Sequence, residues 1–434
     1  MNPFLGVLPK FRRNPNGYLY SVAQEFGDLV YMRLGPQHAY VVSHPDAIRD
    51  ILVTHQSNFT KSRMLERAKV LLGDGLLTSD GEFHTRQRRL VQPVFHRDRL
   101  ARYAQDMVSC AEQTARSWAT GAEVDIHREM TRLTLAIVGR TLFSANVTSE
   151  ADEIGHSMTE ILSLFDTLLL PFSEWIQKLP IPPVRRFEKA RNKLDRIIYG
   201  LIAERRKSQA DAGDLLSMLL LAQDENHAQM TDKQVRDEAL TLLIAGHETT
   251  ANALTWTWYM LSQNHEAEAQ MHEELHRVLD GRAPTFDDVP RLPYTTGVFA
   301  ESLRLYPPAW AIGRRAKQDY RIGGYVLPAN SILLLSPWVV QRDPRWWPEP
   351  ARFDPGRWHP EAVERRPKFA YFPFGGGTRV CIGERFAWAE GVLVLATIAQ
   401  RWRMQLVADQ IVETQAVITL RPRSGVRMSL EARP

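Results

Sequence analysis

The chain has 434 residues, 44% of them hydrophobic and 24% charged, and carries a formal net charge of +4. That composition supplies an ample apolar core and excludes a disordered or low-complexity chain. Two cysteines, Cys110 and Cys381, exclude a disulfide scaffold. Met1 to Arg13 hold prolines and no apolar segment of signal-peptide type. No stretch approaches ~18 uninterrupted apolar residues; the longest greasy run, Ile161 to Ile181, is broken by Asp166, Pro171, Glu174 and Lys178. With no linker, repeat or shift of composition, residues 1–434 read as one large domain. A monomeric cytoplasmic protein is expected, with no stable membrane insertion and no nucleic-acid partner.

Alternating apolar residues at Leu29–Leu34 and His38–Val42 flank Gly35-Pro36 and predict a β-hairpin. From Pro45 to about Ala283 the pattern is helical, with turns at Gly73-Asp74-Gly75, Asp80-Gly81, Gly121 and Pro180–Pro183. Cys110 lies in one such stretch, Tyr103 to Trp118, as core filler. Helical spacing returns at Tyr294–Leu305. Strands are predicted at Tyr320–Ile322, ahead of a Gly323-Gly324 turn, and at Ile332–Val340. A long helix is predicted from Gly383 to about Trp402, then strands at Ala416–Leu420 and Val426–Leu430. The fold class is mainly α with a minor β portion.

Within this pattern, residues 374–383 read Phe-Gly-Gly-Gly-Thr-Arg-Val-Cys-Ile-Gly. A lone cysteine is usually buried and inert. This one sits in a glycine-rich loop, where Gly375, Gly376 and Gly377 let the backbone lie close to a flat surface. Arg379 is placed to meet a carboxylate of a bound group. Phe374, Gly377, Arg379, Cys381 and Gly383 match the pattern Phe-x-x-Gly-x-Arg-x-Cys-x-Gly, and the loop resembles the haem-binding loop of the cytochrome P450 family. A thiolate ligand pushes electron density onto haem iron and favours O–O cleavage.

A second segment, Ala245-Gly246-His247-Glu248-Thr249-Thr250, lies inside the helical run Gln234 to Leu261. Glycine and a β-branched pair are poor choices for helix stability alone. The glycine lets something bulky approach the backbone, and a threonine hydroxyl can bond back to the carbonyl one turn earlier. The segment resembles the family's distal-helix motif. Further resemblances are Glu301-Ser302-Leu303-Arg304, completed by Arg357 of Phe353-Asp354-Pro355-Gly356-Arg357, and the pair His84 and Arg88, four residues apart. Histidine stands at position 84 where the family commonly has tryptophan, and Thr378 where proline is frequent. Arg314 matches a propionate-binding arginine, with Arg315 beside it as the alternative. These motifs occur in the family's order along essentially the whole chain.

The resemblance implies haem b (iron protoporphyrin IX) held between a distal oxygen-binding helix and the proximal cysteine loop. Cys381 is the implied metal ligand. Arg379, His84, Arg88, Arg314, Phe374, Gly375, Gly383 and Ala245 are implied to bind the cofactor, and Glu248 and Thr249 to manage protons during oxygen activation. The implied reaction inserts one atom of O2 into a lipophilic small molecule: a fatty acid, terpenoid, steroid or macrolide. The Ala-Gly-His-Glu-Thr-Thr and Tyr-Pro-Pro segments look more like those of fatty-acid and xenobiotic hydroxylases than of camphor-type enzymes. Pocket walls are expected near Met64–Leu77, Leu162–Ile176, Leu240–Ala245 and Ala309–Ile312. No flavin or iron–sulfur module is visible, so electrons are expected from a ferredoxin or flavodoxin with its reductase. Such donors are commonly acidic, which makes the arginines between Arg86 and Arg99, with Arg385, Arg401 and Arg403, a candidate docking face. The rival readings are a peroxide-driven peroxygenase, indifferent to loss of Thr249, and a haem-thiolate gas sensor, with no use for Glu248 and Thr249.

Overall fold

The computed structural model describes residues 5–144, 154, 157, 160–161, 181–208, 213–223 and 229–433. The expected hairpin forms: Leu29–Leu34 pairs antiparallel with Gln37–Val42, Leu29 opposite Val42. Gln37–Val42 pairs in parallel with Ile332–Leu335, which pairs antiparallel with Ile312–Ala316. Phe59–Lys61 closes the far edge of this five-stranded sheet. The sheet thus joins the N-terminal hairpin to strands from the last third of the chain.

Helices form the rest of the body. The long central helix, Asp232–Gln263, starts at a capping box in which Thr231 and Gln234 satisfy each other's backbone N–H groups. It packs against the helices Ile126–Phe143, Pro182–Ser208, Pro293–Leu305 and Glu384–Ala399. Burial on nearly every side explains its weak amphipathicity, because a helix enclosed by others needs no polar face. Cys110 is 3% exposed in the helix Arg97–Ser117, as core filler.

Glu301 and Arg304 are fully buried and joined by two bonds, Nη2–Oε1 at 2.8 Å and Nε–Oε2 at 2.9 Å. Arg357 Nε stands 3.3 Å from Glu301 Oε1, so the expected triad is assembled. Arg304 also donates to the carbonyls of Gln341, Pro350 and Arg352, and Glu301 accepts from Asp354 N and Trp358 Nε1. A buried ion pair stabilises only when its remaining valences are filled, and here they are. The triad ties the helix Pro293–Leu305 to the segment leading into the cysteine loop.

Several boundaries differ from expectation. The strand predicted over Ile332–Val340 stops at Leu335, and Pro337–Val340 is a helical turn capped by Ser336. Proline lacks the ladder N–H and favours a helix start. The helix predicted to reach Trp402 ends at Ala399, and Trp402–Leu406 is a strand pairing with Arg427–Ala432. Ala416–Leu420 is the turn of a hairpin whose strands are Thr414–Ala416 and Leu420–Pro422. Phe59–Lys61 and Glu123–Asp125 are short strands inside a region expected to be helical, too short for alternation to reveal. Among the described residues, no helix is long and apolar enough to cross a membrane. The Ile161–Ile181 run and the pocket wall expected at Leu162–Ile176 lie almost wholly outside the described residues.

Candidate functional site

The cysteine loop is shaped by its glycines. Gly375 and Gly377 have φ of +76° and +70°, a region that side chains resist. A Cβ on Gly377 would stand 1.9 Å from the Leu52 carbonyl oxygen, so the loop lies hard against the turn Asp50–Thr54. Cys381 N donates to Phe374 O at 2.9 Å, closing the loop, and Gly383 N–H donates to the sulfur. Phe374 packs its ring 5.8 Å from Trp388. Cys381 keeps accessible surface, yet enough protein surrounds it that burial pushes the thiol pKa up. Together these describe a sulfur that is accessible yet largely surrounded by protein. They also mean that the protein alone favours the neutral thiol, and a metal ion is needed to hold the thiolate.

The distal segment lies on the central helix. Around it the helix is enclosed, but Ile244, Ala245, Gly246 and Thr249 keep accessible surface. Ala245 and Thr249 are one turn apart and share a face. Thr249 Oγ1 donates to Ala245 O at 2.7 Å, the expected back-bond. The bulky group that approaches Gly246 is the Val138 side chain, 3.2 Å from where a Cβ would sit. Glu248 is 9% exposed, and its Oε1 accepts from Thr419 Oγ1 at 2.6 Å. Burial raises its pKa, while the Thr419 hydrogen bond and the charge of Arg421 pull it back down.

His84 and Arg88 lie on the helix Gly81–Val91, as expected. His84 is 6% exposed, and Arg88 Nη1 donates to Val380 O, one residue before the cysteine. The two candidate arginines of the strand Ile312–Ala316 separate: Arg314 is buried, whereas Arg315 pairs with Glu66 at 2.6 Å. Arg379 pairs with Asp80, and its Nη1 is buried without a hydrogen-bond partner. A residue that sequence reading missed joins them. Lys61 is 5% exposed and donates to Leu76 O at 2.7 Å. A lysine on a three-residue strand carries no sequence signal, since lysines are ordinarily on the surface.

These groups press on one another electrostatically. Burial, then Arg379, hold Lys61 down to about 7. Burial, Lys61, Arg379 and Arg88 hold His84 at about 4, and burial with Arg379 brings Arg314 to about 10. Opposing them are Asp80 and Glu238, and burial raises Glu238 itself to about 7. The region therefore carries an excess of buried positive charge.

A family model for cytochrome P450 matches residues 1–426. The chain belongs to the cytochrome P450 family. Cyclooctatin synthase of Streptomyces melanosporofaciens is 41% identical over 100% of this chain and 92% of its own. Pentalenene oxygenase of Streptomyces avermitilis is 36% identical over 99% of this chain and 96% of its own. The crystal structure of the cytochrome P450DA heme domain superposes with a TM-score of 0.90 at 27% identity, covering 100% of this P450 and 96% of that chain. A monooxygenase with haem iron and a mainly helical P450 fold is established by these matches. The residues present fit such a group. An iron porphyrin would bring a metal that takes a thiolate and a rim bearing two carboxylates that call for cations, and this P450 offers an accessible sulfur, a glycine cradle and a surplus of buried cations.

Two parts of the site read differently from expectation. Arg403 of the candidate docking face pairs with Glu268 at 2.9 Å, and Arg97 stands 3.8 Å from Asp287. Neither is an isolated cation. The hydrogen-bond partner of Glu248, Thr419, lies in a tail whose hairpin the alternation pattern misplaced.

Proposed function

We propose that this P450 hydroxylates or epoxidises a lipophilic terpenoid, with haem b as cofactor and electrons drawn from a separate ferredoxin or flavodoxin. The observation that carries the substrate class is the set of relatives, 36 to 41% identical over at least 93% of this chain, whose names are those of terpenoid oxygenases. The reading takes residues 1–434 as one catalytic domain. Haem, when bound, would supply the oxygen chemistry: O2, two electrons and two protons would yield one oxygen atom in the substrate and one molecule of water.

The chain's own residues supply ligation, placement and proton control. Cys381 would hold the iron, and the Gly383 N–H bond to its sulfur favours the thiolate once the metal is present. Arg88, Arg314, Arg379 and Lys61 would meet the two propionates, which neutralise the charge these cations now impose on one another. Thr249 presents its hydroxyl from the accessible face of the central helix, beside Ala245. Glu248 is buried, carries a raised pKa and neighbours Thr249 in sequence, which suits a group that takes a proton from one side and releases it to the other.

Optical titration of the ferric protein with cyclic terpene alcohols, fatty acids, steroids and macrolides tests the substrate class. A low-to-high-spin shift with terpenoids alone is the expected result. A shift with fatty acids and none with terpenoids overturns the class and leaves the family untouched.

A further inference from the structure

Glu248 does not point into empty protein. Its Oε1 accepts from Thr419 Oγ1 at 2.6 Å, Thr419 Oγ1 accepts from Asn252 Nδ2 at 3.1 Å, and Asn252 Oδ1 lies 3.2 Å from His127 Nε2. Asn252 and Thr419 are 0% and 5% exposed, while His127 keeps some accessible surface. The series runs from the distal acid to the start of the helix Ile126–Phe143. It crosses three parts of the fold: the central helix, the tail hairpin and the helix packed beside them.

The chemistry of the groups sets the direction of every bond. An ionised carboxylate only accepts, so the single Thr419 proton goes to Glu248. Thr419 must then accept from the Asn252 amide nitrogen, which leaves Asn252 Oδ1 to accept, and His127 to donate from Nε2. Three donors in series face one carboxylate, an arrangement in which each bond polarises the next. A primary amide interrupts the series, so it is a poor proton wire. It serves instead to hold the carboxylate in place and to set its affinity for a proton. If Glu248 takes a proton, it becomes a donor to Thr419, the amide turns over, and His127 Nε2 must accept, shifting its proton to Nδ1.

We propose that Thr419, Asn252 and His127 are positioning residues for Glu248, turning its carboxylate toward the C-terminal hairpin and offsetting part of the cost of burying its charge, and that the series reverses when Glu248 takes a proton. This rests on the reading of Glu248 as the proton-handling acid. Arg421 also faces Glu248 and favours its ionised form; Asp125 favours a charged His127, and Arg421 disfavours it. Burial opposes charge on both Glu248 and His127, and for each it outweighs the other influences. His127 therefore enters the series as a neutral ring whose tautomer is free to follow Glu248.

Two measurements on the haem-loaded protein test it without turnover. Infrared titration of the 13C-labelled carboxyl band, identified by its loss in Glu248→Gln, gives the Glu248 protonation midpoint. Thr419→Val should raise that midpoint by roughly one to two pH units, the worth of a hydrogen bond to a charged group. Thr419→Ser should restore it, and Asn252→Ala should raise it less. In the diamagnetic ferrous carbonyl form, the 15N signals of His127 should switch from the Nε2–H to the Nδ1–H tautomer at the same midpoint, and cease to follow it in Thr419→Val. An unchanged midpoint in Thr419→Val, Thr419→Ser behaving like Thr419→Val, or a His127 tautomer indifferent to Glu248 overturns the proposal. Failure of the monooxygenase role of Glu248 shows separately, as unaltered coupling in Glu248→Gln while the infrared titration stands.

Discussion

Glu248 and Thr249 are neighbours in the chain whose side chains do different work. Thr249 lies on the accessible face of the central helix and bonds back to Ala245; Glu248 is turned into the protein toward Thr419. Thr249→Ala should therefore leave reductant consumption running while product falls, read as a drop in product formed per reductant oxidised. Glu248→Gln should slow product formation by about 10²-fold, the lower end of general acid–base contributions. Undiminished coupling in Thr249→Ala would favour the peroxygenase reading. Lys61 supports a pH prediction. It titrates at about 7 in the protein against 10.5 in water, and a propionate beside it would raise that value again. Haem uptake by the apoprotein should then bind a proton between those two values, so affinity falls as pH rises through the window. Lys61→Met should remove the dependence, measured by haem titration at several pH values. The chemistry-bearing residues were legible because cysteine, arginine and glycine at fixed spacings have few other uses. Lys61 and Thr419 were not, because a lysine on a short strand or a threonine in a turn looks like surface until the fold buries it.

At the scale of elements, the helices were the more legible part. Long runs of helical spacing gave the central helix within two residues at each end, Gln234–Leu261 against Asp232–Gln263. Short strands were poorly legible, since three residues cannot display a period. Where proline or a close-packed turn intervened, at Pro337 and after Ala416, local chemistry overrode alternation. The Glu301–Arg304–Arg357 triad shows an element-scale consequence of burial. Glu301→Gln leaves Arg304 charged in a fully enclosed position, and breaking one side of a buried pair typically costs about 3–5 kcal/mol. The expected outcome is a lower thermal midpoint and poorer haem retention, both read in one melt followed at the haem absorbance. A midpoint unchanged from the parent would show that the triad does not brace the proximal side.

For the whole molecule, the motif order implied the family, and the family model and the 0.90 TM-score bear that out. The charge balance of +4 decided little. Substrate class was the least legible feature, since apolar pocket walls and apolar core share a composition. The chemistry of the molecule turns most on Cys381 as the haem ligand. The direct measurement is the absorption spectrum of the ferrous carbonyl complex in the parent protein and in Cys381→Ala. The parent should show a thiolate-ligated spectrum and the variant should lose it, with haem bound weakly or not at all. An identical spectrum in Cys381→Ala, or no thiolate-ligated spectrum in the haem-loaded parent, would contradict that ligation.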